Sequence, residues 1–588
     1  MKVQFSTDKK NVLFTHETET EYKHLQKFPG LLPKPGALGY YAPAKSHIIY
    51  NLIERLKASN KTLKVSSDVF DFANSPFKLK SIPQMFRFHT KPMDYQEIAL
   101  RYIYSVGSGG LLLDPGMGKS KVVLDFIWLM QFKKSLVVCP KALLFVWEDE
   151  IAIHRPELKY YVVKSTDWEA EKPGMIGADV VIINYNKAVT FTFELQHFGF
   201  NFIHLDEFLI KSPKSDRTDS MTKLSHFIEY RCGGSGTLIN NTPMDMYSPI
   251  RYLEESLVGP SYRNFEQRYG VFVKPRQVPG QPFKHPFLVN FRDIDEAKSI
   301  LDSCCIVMTK EEWLKNLPKK VFHKIYVDLS KEQEEAYDSL SRNYICTLDD
   351  KHIEVDNSLV MMAKLYQISN GFIYSQDPNE VTDMLGLPGK VKKAKRETYV
   401  FPDQPKIKAL NELIKNTIGS KRCILWFNME AEFNLIKEYL DSEGLTYSVI
   451  RGGEKKTGNK VRGFNNDESI QFLVCQAKSV NYGITVLGKK SDEAVDMEEL
   501  DPEDFLVKFD LKVHTQIFYS LNFSLEVFLQ QQDRIHRLGQ TEECNYYLLF
   551  AFSPVEKAIE VAMDTKMNLR KMMLVDIAES LRGSVIHQ

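Results

Sequence analysis

Residues 111–120 read LLLDPGMGKS, and the rest of the chain is best read outward from them. The apolar run GGLLL (109–113) suits a strand buried on both faces of a parallel sheet. Gly116 and Gly118 give the backbone the freedom that a phosphate-cradling turn requires. VVLDFIWLM (122–130) then repeats apolar residues at helical spacing, so Lys119 and Ser120 open a helix. A helix N-terminus presents unpaired N–H groups and the positive end of its dipole, which suits phosphate. In such a turn Lys119 reaches the β- and γ-phosphates of a nucleotide and the Ser120 hydroxyl holds magnesium. Leu113 stands where the common form of this pattern has its first glycine.

The neighbouring segments repeat the strand-then-helix pattern. SLVVCPKALLFVWEDEI (135–151) reads as a buried strand, a turn at Cys139-Pro140-Lys141 and an amphipathic helix. ADVVIINYNKAV (178–189) is another buried strand with a polar end. FNFIHLDEFLIKSPKS (200–215) is a third, with Asp206 and Glu207 where the strand ends. Strands alternating with helices predict an α/β fold with a parallel, helix-covered sheet, which binds ligands at the strands' carboxyl ends. There Asp206 can hold magnesium and Glu207 can orient an attacking water.

With 588 residues the chain is too long for one core, and 43% hydrophobic and 12% aromatic residues make it globular. Lys+Arg and Asp+Glu both number 76, so a polyanion would have to be gripped by a local patch. The eight cysteines include no Cys-x-x-Cys, which argues against a zinc ribbon or a disulfide framework. MKVQFSTDKKNVLF lacks the apolar run of a signal peptide, and no apolar stretch reaches membrane-spanning length. The expectation is a cytoplasmic protein (a host's cytoplasm if it is phage-encoded) with no membrane partner.

In order along residues 85–570, the sequence resembles the superfamily 2 helicases and translocases, and among them the Swi/Snf-type ATPases. PMDYQEIAL (92–100) is similar to the segment carrying the adenine-reading glutamine, here Gln96. LLLDPGMGKS is similar to the family's Asp-Glu-Met-Gly-Leu-Gly-Lys-Thr. VVCPKALLFVWEDE resembles motif Ia, VIINYNK motif Ib and DEFLIKSPKS the surroundings of motif II. CGGSGTLINNTPMDMYSPI (232–250) resembles motif III, with Ser235, Gly236 and Thr237. In the second half, KRCILWFNMEAEFNLIKEYL (421–440) resembles motif IV and QFLVCQAKSVNYGITV (471–486) motif V. LQQQDRIHRLGQ (529–540) matches the family's Gln-x-x-Asp-Arg-x-His-Arg-x-Gly-Gln, with Gln530, Arg534 and Arg537.

The resemblance implies two RecA-like lobes with helical insertions and ATP held with magnesium between them. Gln96, Gly116, Gly118, Lys119, Ser120 and Gln530 would contact the nucleotide, and Ser120 and Asp206 the metal. Lys119, Asp206 and Glu207 would act with Arg534 and Arg537, two arginines three apart on one face of a helix or tight turn. Lys141, Asn184, Lys478 and Ser479 would grip nucleic acid, with duplex or branched DNA expected, single strands possible as a substrate, and a monomer as the expected state. The implied roles lie in DNA repair and replication: fork regression, branch migration or annealing. Two alternatives stand beside this: displacement of a DNA-bound protein such as a polymerase, and an ATP-regulated clamp that does not hydrolyse.

Two departures qualify the resemblance. Leu209 replaces the histidine that often links the ATP site to motif III. GKKSDEAVDMEELDPEDF (488–505) is an acidic insertion, either a solvated loop or a phosphate-mimicking strip. The expected domains are an α+β accessory domain (1–84), lobe 1 (85–325) and lobe 2 (326–588) ending in a bracing helix. FPGLLPKPGALGYYAP (28–43) resembles the accessory domain of HARP-type annealing helicases and UvsW-like branch-migration helicases. Tyr40 and Tyr41 with Lys34 and Lys45 form either a DNA face or a packing surface. Residues 251–320 and 326–400 read as mostly helical, and PGKVKKAKRETY (388–399) as a solvated linker or a phosphate contact.

Overall fold

The computed structural model describes all residues except 8, 17, 28–30, 34–39, 44, 60–62, 75–77, 237, 239–242, 274–286, 344, 349–350, 355–357, 375–396, 453–456, 478–512, 538–539, 566 and 568–588. The chain divides into two compact units, Met1–Trp313 and Leu314–Leu569.

The first unit begins with a small α+β layer. Strands β1 (Lys2–Phe5), β2 (Asn11–Thr15), β3 (Leu32–Pro33), β4 (Tyr40–Pro43) and β5 (Lys64–Val65) form a sheet ordered β3-β4-β2-β1-β5. Helices α1 (Glu19–Lys27), α2 (Ser46–Ser59) and α3 (Ser67–Ala73) accompany it. Alternation along β2 buries Val12 and Phe14, and α2 buries Ile48, Ile49, Leu52 and Leu56. The layer is fastened to the larger sheet domain by polar groups. Arg55 donates from Nε to Glu296 Oε1 at 2.8 Å, from Nη1 to the Leu257 carbonyl at 2.8 Å and from Nη2 to the Tyr269 hydroxyl at 3.2 Å. Asn51 Nδ2 donates to the Ser299 carbonyl at 2.9 Å. Tyr40 is buried, and Lys45 pairs with Glu254 at 3.1 Å, so these two residues serve packing, in place of the open DNA face that was one expectation.

Arg55 is 4% exposed, so its removal takes a buried donor from the Glu296 carboxylate and the Leu257 carbonyl, while Arg268 and the Tyr269 hydroxyl still hold Glu296. Arg55→Ala is therefore expected to destabilise this unit by about 1–3 kcal/mol. The check is a lowered urea midpoint, and an unchanged midpoint would contradict it.

The main sheet of the first unit contains β6 (Gly109–Leu113), β7 (Ser135–Cys139), β8 (Tyr160–Val162), β9 (Val180–Asn184), β10 (Phe202–Asp206) and β11 (Tyr230–Gly234). A hairpin of β12 (Gly270–Val273) and β13 (Phe287–Phe291) follows, and then the edge strand β14 (Cys305–Met308). The order of the main sheet is β14-β6-β11-β10-β7-β9-β8, and every pairing in it is parallel. Every residue of β6, β7, β9 and β10 is buried, as continuous apolar runs require in a sheet covered on both faces. Helices α4 (Asp94–Val106), α5 (Lys119–Leu129), α6 (Leu144–His154), α7 (Trp168–Ile176), α8 (Tyr185–Thr190), α9 (Thr192–His197) and α10 (Asp216–Ser225) make the crossovers. The helices α11 (Tyr247–Val258), α12 (Tyr262–Tyr269) and α13 (Ile294–Cys304) form the expected insertion. The hairpin and β14 add strands to the stretch 251–320, whose described residues are otherwise mostly helical, as expected.

In the second unit, β15 (Lys320–Val327) leads to two hairpins, β16 (Ile345–Leu348) with β17 (Lys351–Glu354) and β18 (Phe372–Tyr374) with β19 (Thr398–Val400). Then come β20 (Cys423–Phe427), β21 (Tyr447–Ile450), β22 (Phe472–Gln476), β23 (Thr515–Phe518) and β24 (Cys544–Ala551). The sheet is parallel with order β15-β24-β23-β20-β22-β21. Helices Lys331–Asn343 and Ser358–Ser369 form the helical protrusion, as the mostly helical reading of 326–400 expects, and the hairpins add strands to it. The expected lobe boundary at 325/326 falls inside β15, whose eight residues all pair with β24, and the division lies at Trp313.

Among the described residues no helix is long and apolar enough to cross a membrane, and all eight cysteines are buried free thiols. The basic run at 390–396, the acidic insertion at 488–505 and the bracing helix expected near 566–581 lie outside the described residues, apart from Met567.

Candidate active site

The carboxyl end of β6 turns into α5 through Asp114–Gly118. Gly116 and Gly118 take φ of 82° and 75°, a region in which a Cβ is strained. Gly118 is the N-cap of α5, so the first-turn N–H groups of that helix are free of intrahelical partners. A Cβ on Gly118 would also lie 2.3 Å from Gln96 Nε2. Gln96 donates from Nε2 to the Met117 carbonyl at 3.1 Å and accepts the Met93 N–H at 3.0 Å, tying the start of α4 to the turn. Asp114 accepts the Lys310 N–H at 2.9 Å, which anchors the turn to the segment after β14. Lys119 is buried, and its Nζ donates to the Leu113 carbonyl at 2.8 Å. Gln96, Gly116, Gly118, Lys119 and Ser120 thus form one continuous cradle.

Asp206 and Glu207 stand two strands away, at the end of β10. Burial pushes the Asp206 carboxyl up, while the Trp147 indole and the Lys119 charge pull it down. Trp147 Nε1 donates to Asp206 Oδ2 at 2.9 Å. Glu207 adopts φ 51°, uncommon for a residue with a Cβ. The Tyr185 hydroxyl shares its proton between the carbonyls of Glu207 at 2.9 Å and Asp206 at 3.2 Å. From the end of β11, Ser235 donates to Glu207 Oε2 at 3.3 Å. This contact links motifs II and III directly, where Leu209 removes the histidine that commonly does so.

β11 must run close to the turn. A Cβ on Gly234 would lie 3.2 Å from Lys119 Cδ, and one on Gly236 would lie 2.5 Å from Pro115. His204, two residues before Asp206, is fully buried beside Lys119, and burial and that charge push it down to about 3. It is therefore a neutral imidazole at any working pH.

Farther along the same sheet edge, β7 and β9 end at a basic patch. Lys141 is exposed at the turn after β7. Asn184 is buried, and its side chain caps α8 by accepting the Lys187 N–H at 3.1 Å. Burial and the Lys141 charge hold the Lys187 ammonium below the ordinary lysine range, with Glu171 opposing. Lys478, Ser479 and Thr237 lie outside the described residues.

In the second unit, Gln530 is buried on the helix Leu525–Gln532. Arg534 and Arg537 occupy the tight turn that follows it. The Arg534 N–H donates to the Gln531 carbonyl at 3.1 Å, and Arg537 Nε donates to the Asp533 carbonyl at 2.7 Å. The turn is fastened by His536 Nε2 to the Pro318 carbonyl at 2.9 Å and by Gln540 Nε2 to the Val513 carbonyl at 3.2 Å. Among the described residues no cluster of three His, Cys, Asp or Glu could hold a metal by itself.

Sequence reasoning missed Trp147, Tyr185, Lys187, His204 and Arg217. Only Trp147 carried a usable signal, since a tryptophan in a buried helix face needs an acceptor for its N–H.

A family model described as the SNF2-related domain matches residues 84–372. An uncharacterised ATP-dependent helicase of Mycoplasma genitalium is 21% identical over 497 residues, covering 82% of this chain and 42% of its own. The TATA-binding protein-associated factor MOT1 of Saccharomyces cerevisiae is 21% identical over 495 residues, covering 77% of this chain and 25% of its own. The chain therefore spans less than half the length of either relative. Among solved structures, the SWI2/SNF2 ATPase core of Sulfolobus solfataricus in complex with dsDNA covers 85% of this chain and 96% of its own, at 20% identity and a TM-score of 0.38.

Proposed function

We propose that this chain, which matches the SNF2-related domain over residues 84–372, is a Swi/Snf-type ATPase of superfamily 2 that uses ATP hydrolysis to move along duplex DNA and so remodels duplex or branched DNA. The observation that carries this reading is the layout of one sheet edge. The ends of β6, β11 and β10 hold the phosphate cradle, Ser235 and the Asp206–Glu207 pair. The next two strands, β7 and β9, lead into the segments that carry Lys141 and Lys187. Phosphate-backbone contacts there give affinity without reading sequence.

The residues fit the nucleotide and its metal. The free N–H groups opening α5 and the ammonium of Lys119 suit the phosphates, and Gln96, tied to the same turn, is the residue that would read the base. Ser120 and Asp206 are the residues that would hold magnesium, whose chemistry is to neutralise charge on the phosphates. Trp147 holds Asp206 Oδ2 and so sets the direction in which the carboxylate faces. Glu207, held by Ser235, orients the attacking water, and Arg534 and Arg537 of the second unit are cations of the type that stabilises phosphoryl transfer.

Steady-state ATP hydrolysis is the test, measured without nucleic acid and with single strand, linear duplex, forked DNA and duplex RNA. DNA duplexes are expected to stimulate, forked DNA most. Equal rates on forked and linear duplex would remove the branch-directed part, and no stimulation by any DNA would overturn DNA dependence.

A second reading, displacement of a protein from DNA, is favoured by the match to a TATA-binding protein-associated factor. Clearance of a bound roadblock from linear duplex would support it, and failure to clear would count against it.

A further inference from the structure

Arg217, on the first turn of α10, lies with its guanidinium carbon 5.3 Å from the centre of the Tyr185 ring. Its Nη2 donates to Asn186 Oδ1 at 3.3 Å. Among the described residues no carboxylate pairs with it, so its charge is available to a phosphate. The Tyr185 ring is 2% exposed, and its far end is the hydroxyl that bonds the Asp206 and Glu207 carbonyls. A surface cation and the motif II backbone therefore hold opposite ends of one rigid ring.

We propose that Arg217 contacts the nucleic-acid backbone and that Tyr185 is a positioning residue, setting the aim of Glu207 according to whether that contact is made. This rests on the reading of a DNA-stimulated ATPase. The geometry favours it in two ways. Arg217 reaches α8 through Asn186 and the Tyr185 ring, and the same helix carries Lys187, which senses the charge of Lys141. Glu207 holds an uncommon backbone conformation that needs support from its surroundings, and the shared bond from Tyr185 supplies part of it. A small turn of that backbone re-aims the carboxylate, and a displacement of about 1 Å in a reacting geometry costs about 100-fold in rate.

The experiment separates DNA binding from DNA stimulation in the full chain. Binding is read from the anisotropy of a labelled duplex, and stimulation as the ratio of ATPase rates with and without that duplex. Tyr185→Phe removes only the hydroxyl and is expected to bind duplex as the unaltered protein does while losing stimulation by about tenfold. Arg217→Lys keeps the charge, loses the planar stack and is expected to behave the same way. Arg217→Ala is expected to weaken binding and lower the salt slope of affinity by about one. Full stimulation in both Tyr185→Phe and Arg217→Lys overturns the proposal, and so does loss of affinity in parallel with stimulation. Thermal unfolding of each variant identifies a fold defect, and the surface substitution Arg217→Lys keeps the test decisive if Tyr185→Phe folds poorly. Absence of stimulation in the unaltered protein overturns the DNA-dependent reading itself, whatever the variants do.

Discussion

Lys119→Ala is expected to lower the ATPase rate by about 1000-fold or more, with Arg in its place restoring little. The lysine sits at the first position of α5, 9% exposed, with its ammonium on the Leu113 carbonyl and its charge felt by Asp206. Gripping a β- or γ-phosphate means exchanging that carbonyl for a phosphate oxygen, a short move within the same cradle. Phosphoryl transfer is catalysed mainly by positive charge held against the transferring group. Alanine removes the charge from a site that is already dry, and no water takes its place at equal strength. The substitution also leaves the Asp206 carboxyl without its stabilising cation, so the carboxylate that should hold magnesium becomes harder to ionise. Phosphate release with saturating ATP and DNA is the measurement. Retention of a substantial fraction of the unaltered rate would mean that hydrolysis does not run through this turn.

The cradle was legible because each of its parts is local. GGLLL, the two glycines and the helix after them lie within a single strand-turn-helix, and each choice of residue follows from the backbone beside it. The main strands were legible for the same reason: short apolar runs such as LVVC (136–139) and VVII (180–183), followed by polar residues, leave few alternatives. β14 was not, because CIVM directly continues the amphipathic α13, and only pairing with β6 makes it a strand. The hairpin of β12 and β13 was hidden by distance: residues 274–286 separate its strands, and the Pro279-Gly280 turn signal among them does not by itself pair strands so far apart.

The supporting contacts of the site were the least legible part. Trp147, Tyr185 and Ser235 come from segments that follow three different strands, and they converge on Asp206 and Glu207 only because parallel strands bring all their carboxyl ends to one edge. Spacing along the chain does not encode that convergence. It also explains how a chain with Leu209 can keep motifs II and III in touch, through an oxygen-to-oxygen bond in place of an imidazole. Asn184 shows the converse. It reads as a polar residue offered to a ligand, yet its buried side chain serves the start of α8.

Glu207→Gln is expected to cut turnover by about 100-fold or more while leaving nucleotide binding in place. The amide has the size of the carboxylate and can still accept the Ser235 hydroxyl, so the local packing survives. It lacks the negative charge and basicity needed to orient and deprotonate a water. The unusual backbone at Glu207 is set by the strand end and by Tyr185, neither of which depends on the side-chain charge, so the variant is expected to keep the native turn. Single-turnover hydrolysis and binding of a fluorescent ATP analogue, measured together, separate the two effects. Slow turnover with intact binding identifies Glu207 as the residue that activates water. It also excludes the non-hydrolysing clamp, since a clamp has no turnover for this substitution to remove. Equal turnover in the variant and the unaltered chain would instead place the water-activating group elsewhere, and the neutral, buried His204 beside Lys119 would be the next residue to change.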